Sequence, residues 1–136
     1  MIAVDTSVLV DVLTADARFV DASASSLAMA LGEGDLVVCD AVVAEMHAML
    51  DASESTMEGI ASLGIRYLAV SEPAAVRAGH MQRRFRQRGG LRDRAIADFL
   101  IGSHAMMQCG ALITRDGGFF RDYFKGLRII VPQAKP

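Results

Sequence analysis

Residues 1–10 read MIAVDTSVLV, an apolar run that stops at Asp5 and then continues with helical spacing. Residues 2–4 are predicted to form a short strand, and residues 7–13 a helix that Thr6 can cap. A strand that leads directly into a helix is typical of α/β proteins. In open α/β sheets, ligands bind just beyond the carboxyl ends of the strands, which is the position of Asp5.

Strand and helix patterns alternate along the rest of the chain. Further strands are predicted at residues 36–39, 65–70, 111–114 and 127–131. Helices are predicted at residues 17–31, 40–50, 55–64, 71–88, 91–109 and 119–124. This order predicts a three-layer α/β/α sandwich with a mainly parallel central sheet. At 136 residues, the chain is expected to form a single domain over residues 1–136.

The amino-acid composition excludes several classes of protein. Hydrophobic residues make up 52% and charged residues 22%, which excludes a disordered or collagen-like chain. The absence of tryptophan argues against a wide base-stacking surface. We expect no signal peptide and no membrane span, because the start lacks a basic segment and the longest uncharged run is short and interrupted by polar residues. Two cysteines without metal or redox spacing favour a cytoplasmic protein.

Charge is divided unequally along the chain. Residues 1–76 carry a net charge of −10, and residues 77–136 a net charge of +8. Seven arginines lie within eighteen residues: Arg77, Arg83, Arg84, Arg86, Arg88, Arg92 and Arg94. Such a cluster favours contact with the phosphates of a nucleic acid. A solvated helix face, or a patch for an acidic protein, explains it equally well.

Four carboxylates occupy positions where acidic residues are unusual. Asp5 and Asp116 each follow a predicted strand, although an acid there can also be a simple cap or turn residue. Glu45 and Asp98 lie on predicted helices, and their neighbours at helical spacing are alanine, valine, isoleucine, methionine or glycine. A carboxylate on an apolar face must be hydrogen-bonded, paired or bound to a metal. Asp11 and Asp40, in contrast, are interpreted as solvent-facing or capping residues.

Four converging carboxylates would repel one another. Two like charges about 4 Å apart cost about 4 kcal/mol at an effective dielectric near 20. A divalent cation removes this cost, and oxygen ligands favour Mg²⁺ or Mn²⁺. Such a cation can activate water and stabilise a phosphoryl group. Together with the arginines, the acids indicate phosphodiester hydrolysis, whereas pairing with the arginines alone would be a structural role.

The chain resembles the PIN-domain ribonucleases, and most of all the VapC toxins of bacterial toxin–antitoxin pairs. Four motifs carry the resemblance, in the family's order and over the whole chain: IAVDTS at 2–7, VVAE at 42–45, RAIADFLIGSHA at 94–105 and LITRD at 112–116. Each motif alone is weak, and the set of four is specific. An aromatic residue at Phe119 or Phe120 also matches the family.

The resemblance implies a metal-dependent endoribonuclease that forms homodimers and is inhibited by a cognate antitoxin protein. It implies that Asp5, Glu45, Asp98 and Asp116 hold Mg²⁺ or Mn²⁺, with Ser7 and Thr114 supporting them through hydrogen bonds. We expect the RNA backbone to contact the arginines Arg83, Arg84, Arg86, Arg88, Arg92 and Arg94. Arg92 and Arg94 are expected nearest the acids, on the same helix as Asp98.

One departure from the family concerns a second metal. Many relatives carry a further acid soon after the motif that ends at Asp116, where this chain has Gly117-Gly118. A complete second metal site is therefore in doubt. Asp93 could compensate, or it could pair with the surrounding arginines.

Three other functions compete with the nuclease. A haloacid-dehalogenase-like phosphatase needs a second aspartate two residues after Asp5, where this chain has Ser7. A response-regulator receiver needs paired acids after its first strand and a phosphoacceptor aspartate after a central strand, whereas Asp51 ends a predicted helix. A catalytically inert PIN-like module that binds nucleic acid or protein is the main alternative.

Overall fold

The structure, a computed structural model, describes residues 1–50, 55–90 and 94–133. Within these ranges the strands are β1 Ile2–Val4, β2 Leu36–Val38, β3 Ile65–Tyr67, β4 Ala111–Ile113 and β5 Arg128–Ile130. The helices are α1 Thr6–Leu13, α2 Val20–Glu33, α3 Asp40–Met49, α4 Thr56–Ser62, α5 Glu72–Gln87, α6 Ile96–Gln108 and α7 Gly117–Tyr123. The predicted alternation of strands and helices is therefore confirmed.

The strands form one sheet in the order β3-β2-β1-β4-β5, and every neighbouring pair is parallel. Ile2 on β1 lies beside Leu36 on β2 and Ala111 on β4. The chain moves outward from β1 to β3 and then returns across the sheet to β4. Because the direction of travel reverses between β1 and β4, a crevice forms beyond their carboxyl ends.

Helices cover the sheet in a way that follows from its connections. Helices connect each successive pair of strands, and connections between parallel strands of one sheet are almost always right-handed. α1 packs against α2 and α3, and α5 runs along α6. β1, β2 and β4 are apolar and buried along their whole length, as expected for central parallel strands. The predicted α/β sandwich is confirmed.

An aromatic cluster anchors α7 against α5 and α6. Phe85, Phe99, Phe119 and Tyr123 pack with ring centroids 5.3–6.4 Å apart. Next to this cluster, Gly102 lets the Phe124 ring lie directly against α6. A Cβ at that position would lie 2.3 Å from the ring, so only glycine permits this packing.

The start of α6 differs from its prediction. The sequence predicted a helix from residue 91, and residues 91–93, which include Arg92 and Asp93, lie outside the described residues. The helix begins at Ile96, because Ala95 is extended at φ −77° and ψ 156° and serves as its N-cap. The expectation that Arg94 lies on the helix of Asp98 is therefore wrong. Asp98 instead lies in the first turn, where the helix dipole stabilises a negative charge.

Two smaller observations complete the fold. Asp5, and not Thr6 as predicted, caps α1, because its carboxylate accepts a hydrogen bond from the backbone N–H of Thr6. Across the described ranges, the structure contains no helix with the length and apolar character needed to cross a bilayer.

Candidate metal centre

Asp5 lies at the centre of the crevice, at the end of β1. It is 6% exposed. Its Oδ1 accepts a hydrogen bond from the Thr6 N–H at 2.8 Å, and its Oδ2 accepts one from the Ser7 hydroxyl at 3.0 Å and one from the Thr114 hydroxyl at 2.7 Å. Three donors therefore fix the orientation of this carboxylate. Burial nevertheless raises the pKa of Asp5, against the opposing effect of these hydrogen bonds.

The two supporting hydroxyls join the ends of β1 and β4. Thr114 donates to Asp5 and accepts a hydrogen bond from the Asp116 N–H at 2.9 Å. Ser7 donates to Asp5 and accepts one from the Arg115 N–H at 3.2 Å. Because each hydroxyl both donates and accepts, the two loops hold each other in register. The contact of Ser7 and Thr114 with Asp5 is as expected.

Glu45 reaches the site from α3 through a contact that the sequence did not indicate. The Thr6 hydroxyl donates a hydrogen bond to Glu45 Oε1 at 2.7 Å. Thr6 and Glu45 are 39 residues apart, so no local pattern links them. Thr6 is buried and belongs to the supporting residues of the site, although the sequence had suggested only a cap.

Asp98 and Asp116 approach the same point from α6 and from the N-cap of α7. The Arg94 guanidinium donates a short hydrogen bond to Asp116 Oδ2, and it lies 3.8 Å from Asp98 Oδ2. The same guanidinium stacks over the Phe119 ring, with its Cζ 4.1 Å from the ring centroid. Arg94 is thus close to the acids, as expected.

The carboxylates interact electrostatically. The pKa of Asp98 is raised to about 6, chiefly because burial disfavours its charged form. Arg94 lowers this pKa, whereas the negative charges of Asp5, Glu45 and Asp116 raise it further. The structure therefore brings all four predicted acids into one site.

The donor set fits a divalent cation in its chemistry. Four carboxylates supply only oxygen ligands, which suit Mg²⁺ or Mn²⁺ better than zinc. The pKa of Asp98 is raised chiefly by burial, and the charges of Asp5, Glu45 and Asp116 add to this effect. In the part of the chain that is described, no group of three or more acidic, histidine or cysteine side chains is placed so that it could hold a metal ion. The four carboxylates therefore share oxygen chemistry suited to the cation, and their side chains would have to move closer together to bind it.

Asp11 corrects a sequence interpretation. It was interpreted as solvent-facing or capping, but it is fully buried. Its Oδ2 accepts hydrogen bonds from the Ser23 hydroxyl at 2.6 Å and from Arg115 Nε at 2.7 Å. Arg115 also stacks on Phe19, with its Cζ 4.1 Å from the ring centroid. Since the backbone of Arg115 contacts Ser7, the Asp11–Arg115 pair supports the loop beside Asp5.

The predicted RNA-contacting arginines divide into three groups. Arg94 lies in the acidic site, and Arg92 lies outside the described residues. The others are exposed along α5 and make no ion pair with a described carboxylate: Arg83, Arg84, Arg86 and Arg88.

Comparison with family models identifies the family of the chain, and solved structures share its fold. A family model of the PIN domain matches residues 2–125. No curated protein sequence matches the chain significantly. Among solved structures, VapBC2 from Rickettsia felis, bound to DNA from its promoter, aligns with a TM-score of 0.77 and 18% identity. The alignment covers 98% of this chain and 100% of that chain.

Two further structures show the same likeness. A toxin–antitoxin complex from Klebsiella pneumoniae aligns with a TM-score of 0.67 and 15% identity, covering 99% of this chain and 100% of that chain. VapC20 of Mycobacterium tuberculosis, a toxin that cleaves the sarcin–ricin loop, aligns with a TM-score of 0.65 and 15% identity, covering 94% of this chain and 99% of that chain. At these identities, the likeness establishes the fold.

Proposed function

The chain belongs to the PIN domain family, and on that premise we propose that it is a metal-dependent endoribonuclease and the toxin of a toxin–antitoxin pair. The observation that carries the proposal is a set of contacts that links the four acids Asp5, Glu45, Asp98 and Asp116 at the switch point of the sheet, through Thr6, Thr114 and Arg94. These residues come from four separate elements. Structural support for one turn or cap would not require them in one place.

The proposed substrate and partners rest on charge and on structural neighbours. VapC20 cleaves an RNA, and the complex from Klebsiella pneumoniae pairs a toxin with an antitoxin. By analogy, we propose RNA as the substrate, a cognate antitoxin protein as the inhibitor, a homodimer as the working form and the cytoplasm as its location. The exposed arginines of α5 supply positive charge that attracts the phosphate backbone.

In the proposed mechanism, Asp5, Glu45, Asp98 and Asp116 hold Mg²⁺ or Mn²⁺. When bound, the cation supplies a Lewis acid that activates water and stabilises charge on a phosphoryl oxygen. Ser7, Thr114 and the Thr6 N–H keep the Asp5 carboxylate in one orientation. The Thr6 hydroxyl orients the Glu45 carboxylate through a hydrogen bond. These contacts orient the acids before substrate arrives, so the reacting groups need little rearrangement.

Arg94 has two possible partners during the reaction. It contacts Asp98 and Asp116, and its side chain is partly exposed to solvent. A guanidinium can exchange a carboxylate for a phosphate oxygen with little change in geometry. We therefore propose that Arg94 contacts the scissile phosphate in exchange for its contacts with Asp98 and Asp116.

A catalytically inert PIN-like binding module is the second candidate. The observation that favours it is the ion pairing of Arg94 with two of the four acids, which holds part of the cluster together without a metal. In that case the site would be structural, and the basic surface would carry the function.

Cleavage of a structured RNA mixture separates the two candidates. The purified protein is incubated with Mg²⁺ or Mn²⁺, beside the same reaction in EDTA and beside Asp98→Asn. Asp21→Asn is the matched control, because this aspartate is exposed on α2 and contacts none of the four acids in the described structure. The nuclease predicts metal-dependent cutting by the parent and by Asp21→Asn that is lost in EDTA and in Asp98→Asn. If the parent protein neither cuts RNA nor binds metal in calorimetry, the result would establish the inert module instead.

A further inference from the structure

Three of the α5 arginines lie on one face of the helix and line a small cavity. Arg77, Arg84 and Arg88 are spaced seven and four residues apart, which places them on the same side of a helix. They flank the buried Met81 and border a cavity of about 250 Å³. Arg83 and Arg86 do not line this cavity, and helical spacing places them on the opposite face of α5.

The opposite wall of the cavity comes from α7 and the turn that follows it. Tyr123 and Lys125 line it, together with one acidic residue, Asp122. The cavity therefore brings four cationic groups and one carboxylate together. Among the described residues, none of the three arginines or Lys125 forms an ion pair. Concentrated and unneutralised cations of this kind attract a negatively charged ligand.

The aromatic cluster connects this cavity to the acidic site. The Tyr123 ring lies 5.4 Å from the Phe119 ring, and the Arg94 Cζ lies 4.1 Å from the same ring. Tyr123 is thus within about 10 Å of the guanidinium that contacts Asp98 and Asp116. A strand whose scissile phosphate lies at the acids therefore passes close to the cavity, so another phosphate of the same strand can occupy it.

We infer that Arg77, Arg84, Arg88 and Lys125 form a binding site for a backbone phosphodiester of single-stranded RNA next to the scissile bond. This inference rests on the proposed nuclease function and adds to it the side chains that hold the strand. A cavity of about 250 Å³ is smaller than those that hold drug-sized ligands, at about 300–1,000 Å³, and suits one phosphodiester group. Phosphate contacts of this kind position a strand without reading its sequence.

The inference separates two pairs of arginines that the sequence treats alike. Arg84→Gln/Arg88→Gln changes the cavity, and Arg83→Gln/Arg86→Gln removes the same charge from the other face of the same helix. Binding of a fluorescein-labelled single-stranded RNA is measured by anisotropy, with all variants in the full chain carrying Asp98→Asn so that the RNA stays intact. Urea unfolding midpoints confirm that both double variants are folded.

The expected results follow from counterion release. Each lost contact to a single strand lowers the slope of log affinity against log salt by about 0.7, so the cavity pair should lower it by about 1.4 and weaken binding about tenfold at physiological salt. The opposite pair should weaken binding at most about threefold, through long-range charge alone. Asp122→Asn should tighten binding roughly threefold, because it removes the one carboxylate in the cavity.

Several results would overturn the inference. Equal losses in both pairs would mean diffuse attraction by the whole helix, and no loss in either would mean that RNA binds elsewhere. Displacement of the RNA by inorganic phosphate at constant ionic strength would indicate a site for free phosphate. If the cavity pair weakened binding to poly-L-glutamate and left RNA binding unchanged, the partner would be an acidic protein.

Failure of the nuclease function is separable from these results. If the parent cuts no RNA with Mn²⁺ and the cavity pair alone loses affinity, the binding site stands and the enzyme assignment fails. If the parent cuts RNA and both pairs lose affinity equally, the enzyme assignment stands and the binding site fails.

Discussion

The acidic crevice and the basic face of α5 organise charge in opposite ways. Asp5 is buried, and its carboxylate accepts three hydrogen bonds. Asp11, beneath it, is fully buried and paired with Arg115. The arginines Arg77, Arg84 and Arg88 are exposed, and the described residues give them no carboxylate partner. The carboxylates of the crevice are held in fixed orientations, whereas the arginines of α5 can bind a ligand without first leaving an ion pair.

This difference indicates a division of labour. A charge that leaves water must be hydrogen-bonded or paired, so the buried acids are fixed in position. An exposed arginine carries no desolvation penalty, and its flexible side chain can move to contact a nucleic-acid strand. Substitutions in the crevice should therefore change chemistry or stability, whereas substitutions on α5 should change affinity and its salt dependence.

The largest effect is expected at Asp5. Asp5→Asn retains the capping of α1, since asparagine caps helices as well as aspartate does, but it removes a charged oxygen ligand. Cleavage should fall about a thousandfold, which corresponds to roughly 4 kcal/mol of transition-state stabilisation. Initial rates with Mn²⁺ measure the loss, and the urea midpoint should stay close to that of the parent. A purified variant with activity within tenfold of the parent would refute the metal site.

The ion pair between buried Asp11 and the partly exposed Arg115 gives the next effect. Arg115→Ala leaves the Asp11 carboxylate buried without its cation, which costs about 3 kcal/mol of unfolding free energy. Arg83→Ala is the matched change on the exposed face and should stay within about 0.5 kcal/mol of the parent. Urea denaturation of both variants tests this contrast. Similar losses would mean that Asp11 and Arg115 contribute no more than a surface pair.

Thr114 tests whether orientation matters separately from charge. Thr114→Val keeps the shape of the side chain and removes the donor to Asp5 and the acceptor for the Asp116 N–H. Supporting contacts of this kind change metal affinity or activity by about 10–100-fold. Thr56→Val is a matched control, because Thr56 is also buried and its hydroxyl contacts only His47 in the described structure. Both variants should lose stability, and only Thr114→Val should lose metal affinity by calorimetry.

The pattern of apolar residues in the sequence predicted the fold and also singled out the four acids. Regularly spaced apolar segments predicted the parallel strands, and a carboxylate among apolar neighbours is unusual in such a pattern. Glu45 and Asp98 were visible because local helical spacing put them beside alanine, valine and isoleucine. Their meeting with Asp5 then followed from where strands and helices end in an α/β fold.

The supporting roles of Thr6, Asp11 and Arg115 were hidden because the partners of these residues are distant in sequence. Asp11 and Arg115 are 104 residues apart, and Thr6 and Glu45 are 39 apart. The one local signal for Asp11 is its spacing of four residues from Ser7, which puts both on the site face of α1. Arg94 was misplaced on a helix because RAIADF carries a continuous helical pattern, and only the extended Ala95 separates it from α6.

The raised pKa of Asp98 predicts how the metal-free protein responds to pH. The pKa rises from 3.8 to about 6, first through burial and then through Asp5, Glu45 and Asp116, against Arg94. Between about pH 4 and about pH 6 the folded state binds more protons than the unfolded state, so stability falls as pH rises through this window. At about 1.36 kcal/mol per pH unit and with partial exposure, the loss is about 1–2 kcal/mol.

Asp98→Asn should abolish this dependence. Urea midpoints of the two proteins in EDTA should converge near pH 4, and the asparagine variant should be the more stable one at neutral pH. Parallel pH profiles would show that the carboxylate of Asp98 is not strained by its neighbours.

The last contrast concerns the glycines that follow Asp116. A Cβ at Gly117 would lie 2.8 Å from Val131 Cγ2, whereas a Cβ at Gly118 would meet no atom within 4 Å. Gly117→Asp should therefore cost about 1–3 kcal/mol through overpacking. Gly118→Asp should be neutral or stabilising by up to about 1 kcal/mol, because an acid in the first turn of α7 favours the helix. Thermal unfolding of the pair in EDTA measures the contrast, and equal losses would contradict it. If Gly118→Asp also tightens Mn²⁺ binding, the absence of an acid after Asp116 lowers the metal affinity of the parent protein. The crevice would then lack a carboxylate ligand at this position, and negative charge added elsewhere would not replace it.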